Sequence, residues 1–447
     1  MWPFRSNKAW RRDYLHFSLT DYLAFEGNPV VSVTEYPYFA YPDLYRAIEH
    51  LYEPTASRVI RTDNHQALAA LVGAQGNVRH EHFRITAGST SPWFVGHETE
   101  AFFHLGNFWL CRQDDQPFVV RLYQSYSGST TLEVAAQRAE LGEQVVKAIR
   151  ERATEHSVYR GQLIEVAYTE AIRDSYGEQT SPERIELNFH ENVVLTDDEI
   201  ILDDGIKQVI KELIFDYEAV KDRLADYNIR RKRGVIFHGP PGTGKTFTTK
   251  YIAGRLPERT TIICHGRILA HIKTIANIAK LLSPATVVLE DVDLAFAQRE
   301  SNFDQKNLSE FMDILDGHAA DRDVLFILNT NSLERVEEAI KDRPGRISQC
   351  IFMGAPATDL RARYFAMLAR THNARLSGLD RLVAETDNCT QAFIKEFIVR
   401  CIQKQLFISG QSDGAEIELD EDLCLEVLRS MRSSGDESGK ILGFVID

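Results

Sequence analysis

Apolar positions change period twice along the 447-residue chain, and the changes predict three regions: 1–195, 196–354 and 355–447. In the first the periods are mixed. A helix is expected over 41–51, strands over 101–111 and 118–125 joined by the polar turn 112–116, a charged helix over 134–152 and a strand over 159–168. This mixture reads as an α+β domain without a chemical signature of its own.

In the second region, short β-branched runs at 234–238, 260–264, 287–290, 324–328 and 350–353 alternate with helical stretches. Unbroken apolar strands separated by helices indicate a parallel sheet covered on both faces. In the third, Phe393, Ile394, Phe397, Ile398, Cys401 and Ile402 recur at i, i+3, i+4 spacing, which predicts a small helical domain ending in the polar tail 433–439. The expected fold class is therefore α/β, with a helical C-terminal part and an N-terminal α+β domain.

Composition narrows the partners. With 51 Lys+Arg against 65 Asp+Glu the formal charge is −14, so most of the surface repels phosphate backbones and anionic lipid. The six cysteines, Cys111, Cys264, Cys350, Cys389, Cys401 and Cys424, form no C-x-x-C pair. They make neither a zinc framework nor a disulfide scaffold, and a reducing, cytoplasmic setting is expected. No apolar run approaches the roughly 18 to 20 residues of a membrane span, and the basic start of the chain lacks an apolar signal core.

The chemistry concentrates in the second region. Gly239, Pro240, Pro241, Gly242, Thr243, Gly244, Lys245 and Thr246 form a G-x-x-x-x-G-K-T loop, directly after an apolar strand and before a helical pattern that starts near Phe247. Glycines let backbone N–H groups wrap a phosphate, Lys245 reaches the β/γ-phosphates, and the Thr246 hydroxyl is a ligand for Mg²⁺. The predicted nucleotide cradle runs from Gly239 through Phe247.

A second apolar strand ends in Glu290-Asp291-Val292-Asp293. Ligands of open α/β sheets bind at carboxyl strand ends, where one acid can hold Mg²⁺ and the next can orient the attacking water. A third strand ends in Asn329-Thr330-Asn331, and Asn331 is the amide candidate for sensing the γ-phosphate. Arg343 and Arg346 flank a Pro-Gly turn, and guanidinium groups stabilise charge on a transferring phosphoryl group.

In order and spacing, GPPGTGKT, LEDVD, ILDG at 314–317, NTN and RPGR resemble the AAA clade of the AAA+ ATPases over roughly residues 200–410. The stretch 386–396 is similar to the helix signature that opens the family's lid, with Asn388 where glycine is usual. The resemblance implies an ATP- and Mg²⁺-dependent ATPase with a phosphate-loop parallel-sheet core and a C-terminal helical lid. It also implies a homo-hexameric ring in which Arg343 and Arg346 act on a neighbour's nucleotide. Lys245 and Thr246 are then the phosphate and magnesium residues, and Asn331 the first sensor. The acids stand in the order Glu-Asp instead of Asp-Glu, which places Glu290 at the magnesium position and Asp291 at the water-activating one. LEDVDLAF resembles the mitochondrial respiratory-complex assembly branch in this respect.

The interval 265–284 holds no aromatic residue except histidine, unlike the first pore loop of threading relatives, and His271, Ile272 and Lys273 occupy it. Phe303 is the candidate ring of the second pore loop. His80-Glu-His82 and His97-Glu-Thr-Glu100 lack the H-E-x-x-H spacing of a zinc protease. The expected activity is ATP-driven remodelling of a protein client or adaptor, with 1–195 as the recognition domain. Two alternatives stand beside it. The basic run 230–233 suits a nucleic-acid-remodelling ATPase, and a nucleotide-gated scaffold would bind ATP with little turnover.

Overall fold

The computed structural model describes residues 14–23, 29–62, 67–72, 85, 88–124, 128–170, 172–173, 179–181, 183–227, 233–293, 323–334, 336, 349–410 and 414–436. The chain divides into two units, Met1–Glu191 and Asn192–Asp447. The first opens with α1 (Leu15–Leu23), β1 (Val30–Pro37), α2 (Tyr41–Tyr52), β2 (Arg58–Arg61) and α3 (Leu68–Val72). Five strands follow, β3 (Thr90–Gly96), β4 (Thr99–His104), β5 (Gly106–Gln113), β6 (Gln116–Gln124) and β7 (Ser129–Ala136), and then α4 (Ala139–Glu155). The unit closes with β8 (Leu163–Thr169), β9 (Ile172–Arg173), β10 (Gln179–Ser181) and β11 (Arg184–His190).

Its main sheet is antiparallel in the order β1-β7-β6-β5-β2. Alternate residues of the central strands serve two cores. Trp109, Phe118, Val120 and Val134 pack with α2 and α4, while Phe108, Leu110, Val119 and Ala135 pack with α1 and α3. Covering both faces makes these strands largely apolar although they run antiparallel, and the buried charges Arg121 and Glu133 pair with each other at 2.7 Å. Asp114 and Asp115, both with positive φ, form the two-residue β5–β6 turn, the conformation that suits hairpin twist.

Three expectations for this unit are corrected. The strand expected over 101–111 breaks at Leu105 into β4 and β5. The helix expected from 134 starts at Ala139, because Val134, Ala135 and Ala136 complete β7 opposite β1. Their burial on both faces removes the alternation that would have marked a strand. The strand expected from 159 begins at Leu163, after a turn.

The second unit contains α5 (Asp204–Ile210), a π-helical stretch Lys211–Asp216, α6 (Tyr217–Ala225), β12 (Arg233–His238), α7 (Lys245–Gly254) and β13 (Thr260–Cys264). Next come α8 (Ile272–Leu281), β14 (Ala285–Leu289), β15 (Val324–Thr330) and β16 (Gln349–Phe352). The five strands are parallel in the order β13-β14-β15-β12-β16, so the carboxyl ends of β14, β15 and β12 lie side by side. Three chemical segments follow those ends. Residues 266–271 form a 3₁₀ turn that runs into α8, so His271, Ile272 and Lys273 lie in helical structure and not in an open loop.

The remaining elements are α9 (Thr358–Thr371), β17 (Ala374–Leu376), α10 (Leu379–Glu385), α11 (Gln391–Ser409), β18 (Ile417–Leu419) and α12 (Glu421–Asp436). They share a core of their own, in which Phe393, Ile394, Phe397, Ile398 and Cys401 form the buried face of α11. Asn388 has φ +57°, a left-handed backbone that asparagine tolerates. Among the described residues no helix is long and apolar enough to cross a membrane. Residues 230–232, Phe303, 314–317, Arg343 and Arg346 lie outside the described residues.

Candidate nucleotide site

Residues 239–244 link the end of β12 to the start of α7, and this loop is shaped by close approaches. Gly239 has φ +144°, and a Cβ there would stand 2.1 Å from the Met353 carbonyl oxygen. Gly242 has φ +82°, and its Cβ would meet Ala392 at 2.8 Å, while its carbonyl accepts the Ala392 N–H at 3.1 Å. The loop is thus fastened to the sheet at one end and to the start of α11 at the other.

Lys245 opens α7 and is buried. Its Nζ donates to the carbonyls of Gly239 at 2.8 Å and Pro240 at 2.9 Å, and to Asn331 Oδ1 at 2.8 Å. Burial lowers its pKa, and the nearby Asp291, Glu290 and Asp293 oppose the shift. Asn331 in turn donates from Nδ2 to Asp291 Oδ1 at 3.1 Å. Asp291 is exposed and has φ +50°, a left-handed backbone that turns the chain directly after the acidic strand.

Glu290 lies deeper. Its Oε2 accepts from the Thr246 hydroxyl at 3.0 Å, and its Oε1 accepts from Asn329 Nδ2 at 2.9 Å. Burial raises its pKa, the bonds from Asn329 and Thr246 lower it, and Asp291 adds a smaller upward push. Asp293 is buried and accepts from Thr330 Oγ1 at 2.8 Å and from the Asn331 N–H at 3.0 Å. The third acid of the run therefore anchors the loop that carries Asn331. Sequence reasoning assigned no role to Asp293 or Asn329. For Asn329 the available signal was its i, i+2 spacing from Asn331 along one strand.

A cavity of about 660 Å³ adjoins these groups. Pro241, Gly242, Thr243, Gly244, Lys245, Thr246 and Phe247 line its floor, with Glu290, Asp291 and Asn331. Gly239 and Pro240 act through the carbonyls that hold Lys245. Apolar lining comes from Leu195, Ile200, Ile201 and Leu202 in one segment and from Tyr364, Met367 and Leu368 of α9 in another. The first of these segments is clamped to α7, where Asp197 accepts from Tyr251 at 2.6 Å and from Arg255 at 2.7 Å.

Three lining side chains carry buried polar atoms without a hydrogen-bond partner among the described residues: Thr248 Oγ1, His372 Nε2 and Gln391 Oε1. A largely apolar cavity with a few orphaned polar atoms in its lining fits a nucleobase and sugar, and the loop fits phosphates. The hydroxyl of Thr246 beside the Glu290 carboxylate is an all-oxygen donor set, which fits Mg²⁺.

A parallel α/β sheet with this loop at a carboxyl strand end defines the phosphate-loop nucleotide-binding class. Residues 235–355 match the family model described as "ATPase family associated with various cellular activities (AAA)", so the second unit carries an AAA ATPase domain. The chain is 27% identical over 207 residues to "ATP-dependent zinc metalloprotease FtsH 2" of Thermoanaerobacter sp. (strain X514), a match covering 42% of this chain and 40% of that protein. It is 26% identical over 253 residues to "26S protease regulatory subunit 6A" of Caenorhabditis elegans, covering 52% of this chain and 57% of the relative. Among solved structures, the AAA domain of FIGL-1 in complex with ADP aligns with a TM-score of 0.46 and 18% identity, over 57% of this chain and 86% of that one. The curated relatives are thus matched over less than two thirds of their own length.

Proposed function

We infer that the second unit binds ATP with Mg²⁺ and hydrolyses it, and that the chain works in the cytoplasm as a ring, expected to be a homo-hexamer, remodelling protein clients. The observation that carries this reading is the pair of hydrogen-bonded sets lining one cavity, with Lys245 joined through Asn331 to Asp291 and Thr246 joined to Glu290. The similarity to a relative named as a 26S protease regulatory subunit supports a protein client. The separate first unit supports a recognition role for residues 1–195. The Glu-Asp order supports a place near the respiratory-complex assembly branch.

Each residue has a defined task. Lys245 neutralises phosphoryl oxygens and exchanges its loop carbonyls for them. Thr246 and Glu290 would hold Mg²⁺, which when bound offsets the charge developing on the phosphoryl oxygens. Asp291 orients the attacking water and accepts its proton, and Asn331 fixes Asp291 through Nδ2 while steadying Lys245 through Oδ1. The resemblance assigns Arg343 and Arg346 to the nucleotide of the neighbouring protomer.

Asp291→Asn tests the reading. The variant should bind ATP with little change and lose roughly 10² to 10⁴-fold in phosphate release, the usual contribution of a general base. With ATP it should also retain ring and client for particle imaging and mass spectrometry. Turnover at the wild-type rate would remove Asp291 from the base position. A single turnover by the wild type would favour the scaffold. Salt-sensitive stimulation by single-stranded nucleic acid would favour that partner instead.

A further inference from the structure

Strands β14 and β15 pair in parallel with Leu289 opposite Leu328, so the next residues, Glu290 and Asn329, come level with each other. Both side chains turn toward α7. Asn329 is 1% exposed, and its Nδ2 donates to Glu290 Oε1 at 2.9 Å and to Thr249 Oγ1 at 3.1 Å. Its Oδ1 is buried without a partner among the described residues. The amide is therefore oriented by the carboxylate, at the cost of an unsatisfied acceptor.

Glutamate at position 290 carries one more methylene, and one more rotatable bond, than aspartate. An unanchored glutamate would sample several positions beside Thr246. We propose that Asn329 is a positioning residue that fixes Glu290 by one oxygen, so that the other stays directed at the Thr246 hydroxyl and the pair is preset for a divalent cation. This rests on the assignment of Thr246 and Glu290 to Mg²⁺. It accounts for how the longer acid can stand at the magnesium position, because the asparagine on the neighbouring strand removes the added freedom. The shared contact with Thr249 locks the asparagine to the same helix that carries Thr246.

The test is a Mg²⁺ titration of fluorescent ATP binding to the full chain, with a matched measurement in EDTA. Asn329→Leu keeps the approximate volume and removes the donor, and Asn329→Ala provides a second variant if Leu is not accommodated. Either should raise the Mg²⁺ concentration at half effect about 10-fold or more, the usual consequence of losing a partner behind a metal ligand, with affinity in EDTA unchanged within about twofold. In a Glu290→Asp background the same substitution should have a much smaller effect, because the shorter side chain does not need the anchor.

An unchanged Mg²⁺ midpoint in Asn329→Leu, or an equal loss of affinity in EDTA, would overturn the positioning role. Glu290→Ala separates the two assignments. If it weakens Mg²⁺ dependence while Asn329→Leu does not, the positioning role fails and the metal assignment stands. If Glu290→Ala leaves Mg²⁺ dependence unchanged, the metal assignment fails and the positioning role fails with it.

Discussion

Lys245 is 7% exposed and still satisfies three acceptors, so its ammonium is held in one place and compensated by nearby acids. Lys245→Ala should weaken ATP binding about 100-fold or more, equivalent to one or two charge-assisted hydrogen bonds. Equilibrium binding of labelled ATP measures this, and unchanged affinity would exclude Lys245 from the phosphate site. Lys245, Glu290, Asp291 and Asn331 are legible in sequence because each sits at a fixed step after an apolar strand. The structure brings them within hydrogen-bond reach. Asn329 and Asp293 act on partners 39 and 38 residues away, and no local spacing rule reaches that far.

Among elements, α2 carries an unusual group. Asp43 is buried, its Oδ1 accepts the Val158 N–H at 2.8 Å, and burial pushes its pKa up from 3.8 to about 6 against the opposing bonds from Ser157 and Val158. The folded state therefore holds this proton more tightly than the unfolded chain. Its stabilising contribution is full below about pH 4 and is lost as pH rises through about 6. Comparing wild type with Asp43→Asn in urea should show the wild-type advantage shrinking by about 3 kcal/mol between pH 3.5 and 7. A pH-independent difference would mean that Asp43 does not titrate in this range. The helix around Asp43 is legible from its period, which covers 41–51 against the observed Tyr41–Tyr52. The start of α4 is not, because three residues buried on both faces of a sheet look the same as the first turn of a buried helix.

At the scale of the whole molecule, the proposed ring makes a prediction that an isolated protomer would not satisfy. Arg346→Ala should bind ATP normally and lose roughly 10³-fold in turnover, as expected for an arginine supplied by a neighbour. Asp291→Asn should also be slow. Mixing the two should recover hydrolysis, because a protomer with an intact Asp291 then meets a neighbour with an intact Arg346. Steady-state phosphate release of the mixture against either variant alone measures this, and no recovery would exclude the shared site. By itself the sequence determined the phosphate loop, the acids and amide that follow their strands, and the change from strand–helix alternation to a mainly helical period, though not the short β17–β18 pair inside it. These depend on neighbours within a few residues, where backbone geometry and side-chain period act directly. Only the tertiary structure decided that Glu290 is held from the adjacent strand, that Asp293 supports Asn331, and that Ile200, Tyr364 and His372 face one cavity. Those relations follow from strand register and from packing between segments far apart in the chain, which a local pattern does not encode.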